Sequence, residues 1–287
     1  GGTEPSACPA RGPPLPAPVT SPASVTAVPK PPVKSLGAWA LDAMIWGGVA
    51  VLLLISIDAV DLKNVSRLFT NAENMKGFAA DLLRPNWDDW QLYVSKMWET
   101  IQIALWGTFL AIFLGVPMGL AAARNIAPVW VVTPVRWLMN ALRSIPDLVM
   151  GLLFVVAVGL GPLAGVLAIA LNTAGVLAKL FSEAVESIDK GPVEGVRATG
   201  APKLHEIMWG VIPQVAPLWT SFALYRFESN SRSATVLGLI GAGGIGQVLF
   251  DRMNGFDYSS VSAIVIIVVV AVTLIDMLSQ AMRKRLL

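Results

Sequence analysis

Arg226, Ser229, Asn230 and Ser233 stand at i, i+3, i+4 and i+7, a spacing that aligns them as one polar stripe on a helix. An arginine fork beside two hydroxyls and an amide suits a phosphate-like oxyanion, because guanidinium matches paired oxygens. The surrounding residues 213–237 read as a membrane span, and an arginine inside one faces a cavity or an opposite charge. Two readings therefore stand at Arg226: contact with a passing anion, or a structural pair. Glu228 and Arg232, at i and i+4 on another face, can neutralise each other, which ranks Arg226 above Arg232 as a pathway residue. Arg136, Asn140, Arg143 and Asp147 repeat the pattern at spacings of 4, 3 and 4. Arg143 and Asp147 form a second i, i+4 pair, and Asn140 and Arg143 are candidates for the inner pathway. Binding along such a route has to be weak, or the ion would be trapped during transport.

The stretch "GAGGIG" sets Gly241, Gly243 and Gly246 at the G-x-G-x-x-G spacing of a dinucleotide-binding turn. That chemistry needs a βαβ unit and an acid roughly 20 residues on for the ribose. Asp257 falls close enough to that distance to serve. The following run, Tyr258 to Ile275, carries no charge and leads to "RKR" at 283–285; it is a span with a basic anchor. The preceding run continues the helical stripe. With Gly244, these glycines instead suit a sharp non-helical turn that approaches a dimer mate closely. Backbone of that kind is tolerated at membrane depth only where protein or water surrounds it. We expect an outer gate turn beside a pore, its amides facing an arriving anion; a plain tight turn is the alternative.

The elements that position these residues follow from composition. Of 287 residues, 55% are hydrophobic and 14% charged, against about 25% charged in soluble domains, and mean hydropathy is +0.65. A bilayer core takes about 20 apolar residues per helix. Six stretches meet this: 36–57, 100–123, a helix from about Thr133 to the "GLGP" turn at 159–162, 163–181, 213–237 and 258–275. The expected fold is all-α with six spans, in which Pro117, Pro146 and Pro162 kink or end helices. Residues 1–35 are rich in Pro, Ala and Ser and lack an apolar leader core, so a disordered tail is expected there. Residues 36–96 hold the first span and an external loop, and 97–287 the core. Lys and Arg near span ends put both termini on the cytoplasmic side. The net charge of +2 does not suggest nucleic acid. The single cysteine, Cys8, and single histidine, His205, support neither a disulfide nor a metal site.

Between the fourth and fifth spans, "PVEGVRATG" reads as a short helix with Pro192 in its first turn and Gly200 just past its end. A second helix is expected from Pro202 to Trp209. Such a pair suits docking in a partner's groove, or serves as a solvated connector. The spacing of Glu194, Gly200, Ile212 and Pro213 resembles the EAA motif of bacterial ABC importer permeases, E-A-A-x3-G-x9-I-x-L-P. Gly195 and Val196 replace the two alanines and Gly210 replaces the isoleucine; Gly195 should weaken the helix by up to about 1 kcal/mol. "LRSIPDL" (142–148), "KGPVEGVRATGA" and "LYRFESNSRSATVLGLIGAGGIG" (224–246) are similar to the phosphonate-type permease subunit. The likeness covers about 97–287.

The resemblance implies a homodimeric pore in the bacterial inner membrane, seated on two copies of a separate ATPase and served by an external binding protein. It makes Glu194, Gly195, Val196, Arg197, Gly200 and Pro213 the coupling helix and its flank. It implies no cofactor or metal on this chain and no catalysis: ATP and Mg belong to the ATPase, in keeping with the lack of a G-x-x-x-x-G-K-[ST] stretch here. The cargo implied is a phosphonate, phosphite or phosphate. Alternatives are a permease for another small solute such as methionine, or a secondary transporter. The latter would need intramembrane acids for ion coupling and inverted repeats, whereas Asp147 and Glu228 are accounted for as arginine partners and no repeat is evident.

Overall fold

The computed structural model describes Gly2, residues 36–60 and residues 72–286. All regular structure among them is helical, and the chain divides into two units, Gly1–Phe69 and Thr70–Leu287. The described helix of the first unit is α1 (Leu36–Ala59). Its 24 residues span about 36 Å at ~1.5 Å each. Apolar side chains such as Trp39, Met44, Leu52 and Ile55 are exposed around it, as on a helix whose solvent is lipid. Apart from Gly2, the expected Pro-rich tail lies outside the described residues, as do residues 61–71 of the expected external loop.

The second unit contains α2 (Ala72–Leu82), α3 (Trp90–Ala122), α4 (Val129–Ser144), α5 (Asp147–Val158) and α6 (Pro162–Glu186). These are followed by α7 (Lys190–Ala198), α8 (Lys203–His205), a π-helical stretch Glu206–Val211, α9 (Ile212–Gly238), α10 (Ile245–Asn254) and α11 (Tyr258–Leu286). Across the described chain, five helices are long and apolar enough to cross a membrane, or six if α4 and α5, bent by 91° at their break, count as one span. The all-α expectation of about six spans holds, but the third helix is not a single element. Ile145 precedes Pro146, and the proline ring disfavours helical backbone at the residue before it. Ile145 is accordingly extended, at φ −84° and ψ 122°, and the helix restarts at Asp147.

The centre of the unit is the pairing of α3 with α6. Ala104, Gly107, Thr108, Ala111, Gly115, Gly119 and Ala122 form the buried stripe of α3. Small residues at this spacing let two membrane helices touch along their backbones. A Cβ on Gly107 would stand 2.7 Å from Ile169, and one on Gly119 2.8 Å from Phe181. Helix α3 has 33 residues, about 50 Å, so it outruns a hydrocarbon core of about 30 Å. It starts at Trp90, well before the expected Thr100, and the extra turns carry Lys96 and Glu99.

Candidate functional site

Helix α9 brings part of the predicted stripe to the broken span. Ser233 donates to the Asp147 carboxylate at 2.8 Å, across 86 residues of sequence. Arg226 is half-buried; its Nε is buried with no hydrogen-bond partner, and Asp147 is the acid whose charge acts on it. Asn172 of α6 donates to the Ile145 carbonyl at 2.8 Å, satisfying one of the groups freed where α4 ends. Ser229 is half-buried, and Asn140 and Arg143 are exposed on α4.

Two of the expected assignments need correcting. The Arg143–Asp147 pair is not formed among the described residues: the i, i+4 geometry requires one continuous helix, Pro146 breaks it, and Asp147 turns to Ser233. Asn230 does not line a route. It is 2% exposed, donating to Thr108 at 2.9 Å and accepting from Thr173 at 3.0 Å. Both of these side-chain hydrogen bonds go into joining α9 to α3 and α6. The Glu228–Arg232 pair forms at 3.1 Å within a larger network. Arg232 also reaches Asp276 at 3.2 Å, and Arg283 reaches Glu228 at 2.8 Å. Two acids and two bases thus cancel between α9 and α11, which leaves Arg226 outside that neutralised set.

Helix α7 matches the short helix read from Pro192 and Gly200. Asp189 caps it by accepting from the Gly191 N–H at 3.0 Å, and Gly200 ends it at φ +79°. Only Val193 and Val196 are half-buried, while Glu194, Gly195, Arg197 and Gly200 are exposed. Arg197 forks onto Glu206 at 3.1 and 2.9 Å, clamping α7 to the π-helical stretch. The second helix is no separate element: after α8 the chain runs through that stretch directly into α9, so Pro213 lies in the first turn of a span. Gly210 also gains a reason. A Cβ there would come within 3.0 Å of the Val193 backbone, so glycine lets α7 lie flat on the base of α9. A cavity of about 420 Å³ beneath it is lined by Lys190, Val193, Glu194, Arg197, Lys203 and Glu206, among others. A Cβ on Gly195 meets nothing within 4 Å. Gly195→Ala is therefore expected to stabilise α7 by up to about 1 kcal/mol, seen as slower amide exchange across 190–198; faster exchange would contradict this.

The glycine turn is intramolecular. Gly241, Gly243 and Gly244 have φ of +88°, +79° and +77°, a region that only glycine enters freely. Close approaches of the kind expected toward a dimer mate are also made within the chain. Gly238 and Gly246 press backbone to backbone, a Cβ on Gly238 falling 2.7 Å from the Gly246 Cα. Two of the turn's amides expected to face an anion are taken: Gly244 N–H donates to Glu99 at 3.0 Å, and Ile245 N–H to Thr100 at 2.8 Å. The Gly161 N–H donates to the Gly241 carbonyl at 2.9 Å, tying the turn to the start of α6. Nearby, Arg252 clasps Asp89 at 2.6 Å and Asp257 at 3.2 Å. Hydrogen bonding from Ser260, then the Arg252 charge, holds the Asp257 carboxyl below the usual aspartate range. Its contribution to stability is present above the unfolded-state pKa and is lost as pH falls through the lower folded value.

Comparison with known proteins agrees with this architecture. The family described as "Binding-protein-dependent transport system inner membrane component" matches residues 115–287. The phosphite transport system permease protein PtxC of Stutzerimonas stutzeri is 37% identical over 242 residues, 83% of this chain and 88% of that one. The putative cryptic phosphonate transport system permease protein PhnE2 of Escherichia coli K12 is 58% identical over 118 residues, 41% of this chain and 97% of that one. Among solved structures, a chain of the inward-facing MetNI methionine ABC transporter superposes with a TM-score of 0.63 at 21% identity, covering 70% of this chain and 99% of that one; it shares the fold. With its helices arranged in this way and most of its length in common with such permeases, this chain belongs to the family of binding-protein-dependent transport system inner membrane components, the permeases of ABC importers.

Proposed function

We propose that the chain moves a phosphonate or a related oxyanion, phosphite or phosphate, across the bacterial inner membrane. The observation that carries this is the 37% identity with a phosphite permease through most of both chains, supported by the 58% identity with a phosphonate permease homologue. The methionine transporter chain, at 21%, contributes the fold alone. In this reading two copies pair as a homodimer on two ATPase subunits, which hold ATP and Mg. An extracytoplasmic binding protein delivers the anion. Both termini are cytoplasmic, and 97–287 is the permease core. The chain itself catalyses nothing.

Helix α7 is the coupling helix. Its exposed face (Glu194, Gly195, Arg197 and Gly200) meets the ATPase, while Val193, Val196 and the Arg197–Glu206 fork hold it to the base of α9 at Pro213. Arg226, with Ser229 and Ser233, lines the anion route, together with Asn140 and Arg143 on the exposed face of α4. An exposed arginine and amide at membrane depth call for a watery or protein neighbour. Residues 241–246 form the outer gate turn, with the Gly244 and Ile245 amides held by α3 rather than free for the anion. The test is ATP-dependent uptake of radiolabelled phosphite in cells lacking other routes. Uptake should require this chain and be competed by methylphosphonate or phosphate and not by methionine. Competition by methionine alone would overturn the oxyanion assignment.

A further inference from the structure

The N-terminus of α10 has no capping side chain of its own, because Gly244 occupies that position. A helix leaves its first N–H groups without intrahelical partners, and here the distant helix α3 supplies them. The Glu99 carboxylate takes the Gly244 N–H at 3.0 Å and holds the Lys96 ammonium with its other oxygen at 2.7 Å. Thr100 is fully buried. Its hydroxyl donates to the Lys96 carbonyl at 2.9 Å, which fixes its lone pairs toward the Ile245 N–H at 2.8 Å. The glycines make this reach attainable: a Cβ on Gly243 would lie 2.9 Å from Glu99 Oε1, and one on Gly244 would overlap Thr100 Oγ1. The third tie, from Gly161 to Gly241, comes from the start of α6.

These ties converge on one rigid pair. Helices α3 and α6 are fused along their lengths by the Gly107, Gly115 and Gly119 contacts. Helix α6 runs 25 residues, about 37 Å, from the glycine turn to Glu186, just before α7 begins. Val193 of α7 packs against a core cluster that includes Leu177 and Phe181 of α6, so motion at α7 has a packed path to the turn.

We propose that Glu99 and Thr100 are positioning residues for the outer turn, the grips by which the α3–α6 pair holds residues 241–246 closed until α7 moves. The proposal rests on reading that turn as the outer gate. It predicts that the turn does not open alone: it is released when the pair shifts, and without its grips it opens out of step with ATP hydrolysis.

The test uses the full complex with its ATPase in lipid nanodiscs, and the same complex in proteoliposomes with the binding protein. Amide exchange of a peptide covering 239–250 is measured in Glu99→Ala, Thr100→Val and Glu99→Gln. Losing a grip should speed exchange about tenfold, while Glu99→Gln, which keeps an acceptor oxygen, should stay near wild type. In proteoliposomes, the ATP hydrolysed per phosphite moved should rise several-fold in Glu99→Ala and Thr100→Val and return to normal in Glu99→Gln. This ratio is independent of how much complex folds. Unchanged exchange in both disruptive variants would overturn the grip. Faster exchange with an unchanged ratio would leave the contact in place and overturn the outer-gate reading.

Discussion

Gly246→Ala is expected to lower the amount of folded protein in the membrane about tenfold or more, and uptake with it. Gly246 lies at the second residue of α10, and its obstacle is space. A Cβ there would overlap the Thr235 carbonyl oxygen and come 2.9 Å from the Gly238 Cα. Both neighbours are backbone, and both belong to the last turn of α9. The turn between them cannot back away, because Glu99, Thr100 and Gly161 hold it from two other helices. Overpacking against side chains costs about 1–3 kcal/mol; against fixed backbone the upper end applies, and about 1.4 kcal/mol is already tenfold in the folding equilibrium. Immunoblot of membranes and thermal stability of the solubilised protein check this, with Gly195→Ala as the glycine that tolerates a methyl group. Wild-type levels of Gly246→Ala would show that the turn is looser than described.

Gly200→Pro is expected to abolish stimulation of the ATPase by the binding protein, at least about tenfold, with the protein still in the membrane. Gly200 sits at φ +79°, and proline, whose ring holds φ negative, cannot go there. Its N–H also donates to the Arg197 carbonyl at 3.0 Å, and proline has none to give. The same turn sets Arg197 facing Glu206, so its distortion frees α7 from the base of α9. Nothing in the span interior is touched. Gly200→Asn is the matched control, since asparagine enters the left-handed region more readily than other side chains and should retain most stimulation. Wild-type stimulation in Gly200→Pro would remove α7 from the coupling role.

Local features were legible in the sequence where one short segment contains its own cause. Pro192 and Gly200 bound α7, the two glycines of "GLGP" make the turn before α6, and Glu228–Arg232 pairs across one helical turn. Features decided by other helices were not. Asn230 belongs to the same stripe as Arg226, but Thr108 and Thr173, which claim it, come from two other helices. Periodicity names a helix face; it does not say what lies against it. The amides of Gly244 and Ile245 looked free because their acceptors, Glu99 and Thr100, sit on α3, far back along the chain. Pro146 marked a kink or helix end, yet the spacing of Arg143 and Asp147 was read across it as if the helix ran on. The break was signalled by the constraint on Ile145, and it removed the Arg143–Asp147 pair. Gly210 read as a departure from a motif until Val193 was found packed upon it.

The central claim is that an oxyanion crosses by a route containing Arg226. It is tested most directly by uptake of radiolabelled phosphite at a subsaturating concentration, comparing wild type, Arg226→Ala and Arg226→Lys at matched membrane levels. The account predicts a loss of about tenfold or more in Arg226→Ala, the scale of about 1.4 kcal/mol. Arg226→Lys should be intermediate, because lysine keeps the charge and loses the fork. Unreduced uptake by Arg226→Ala would contradict it.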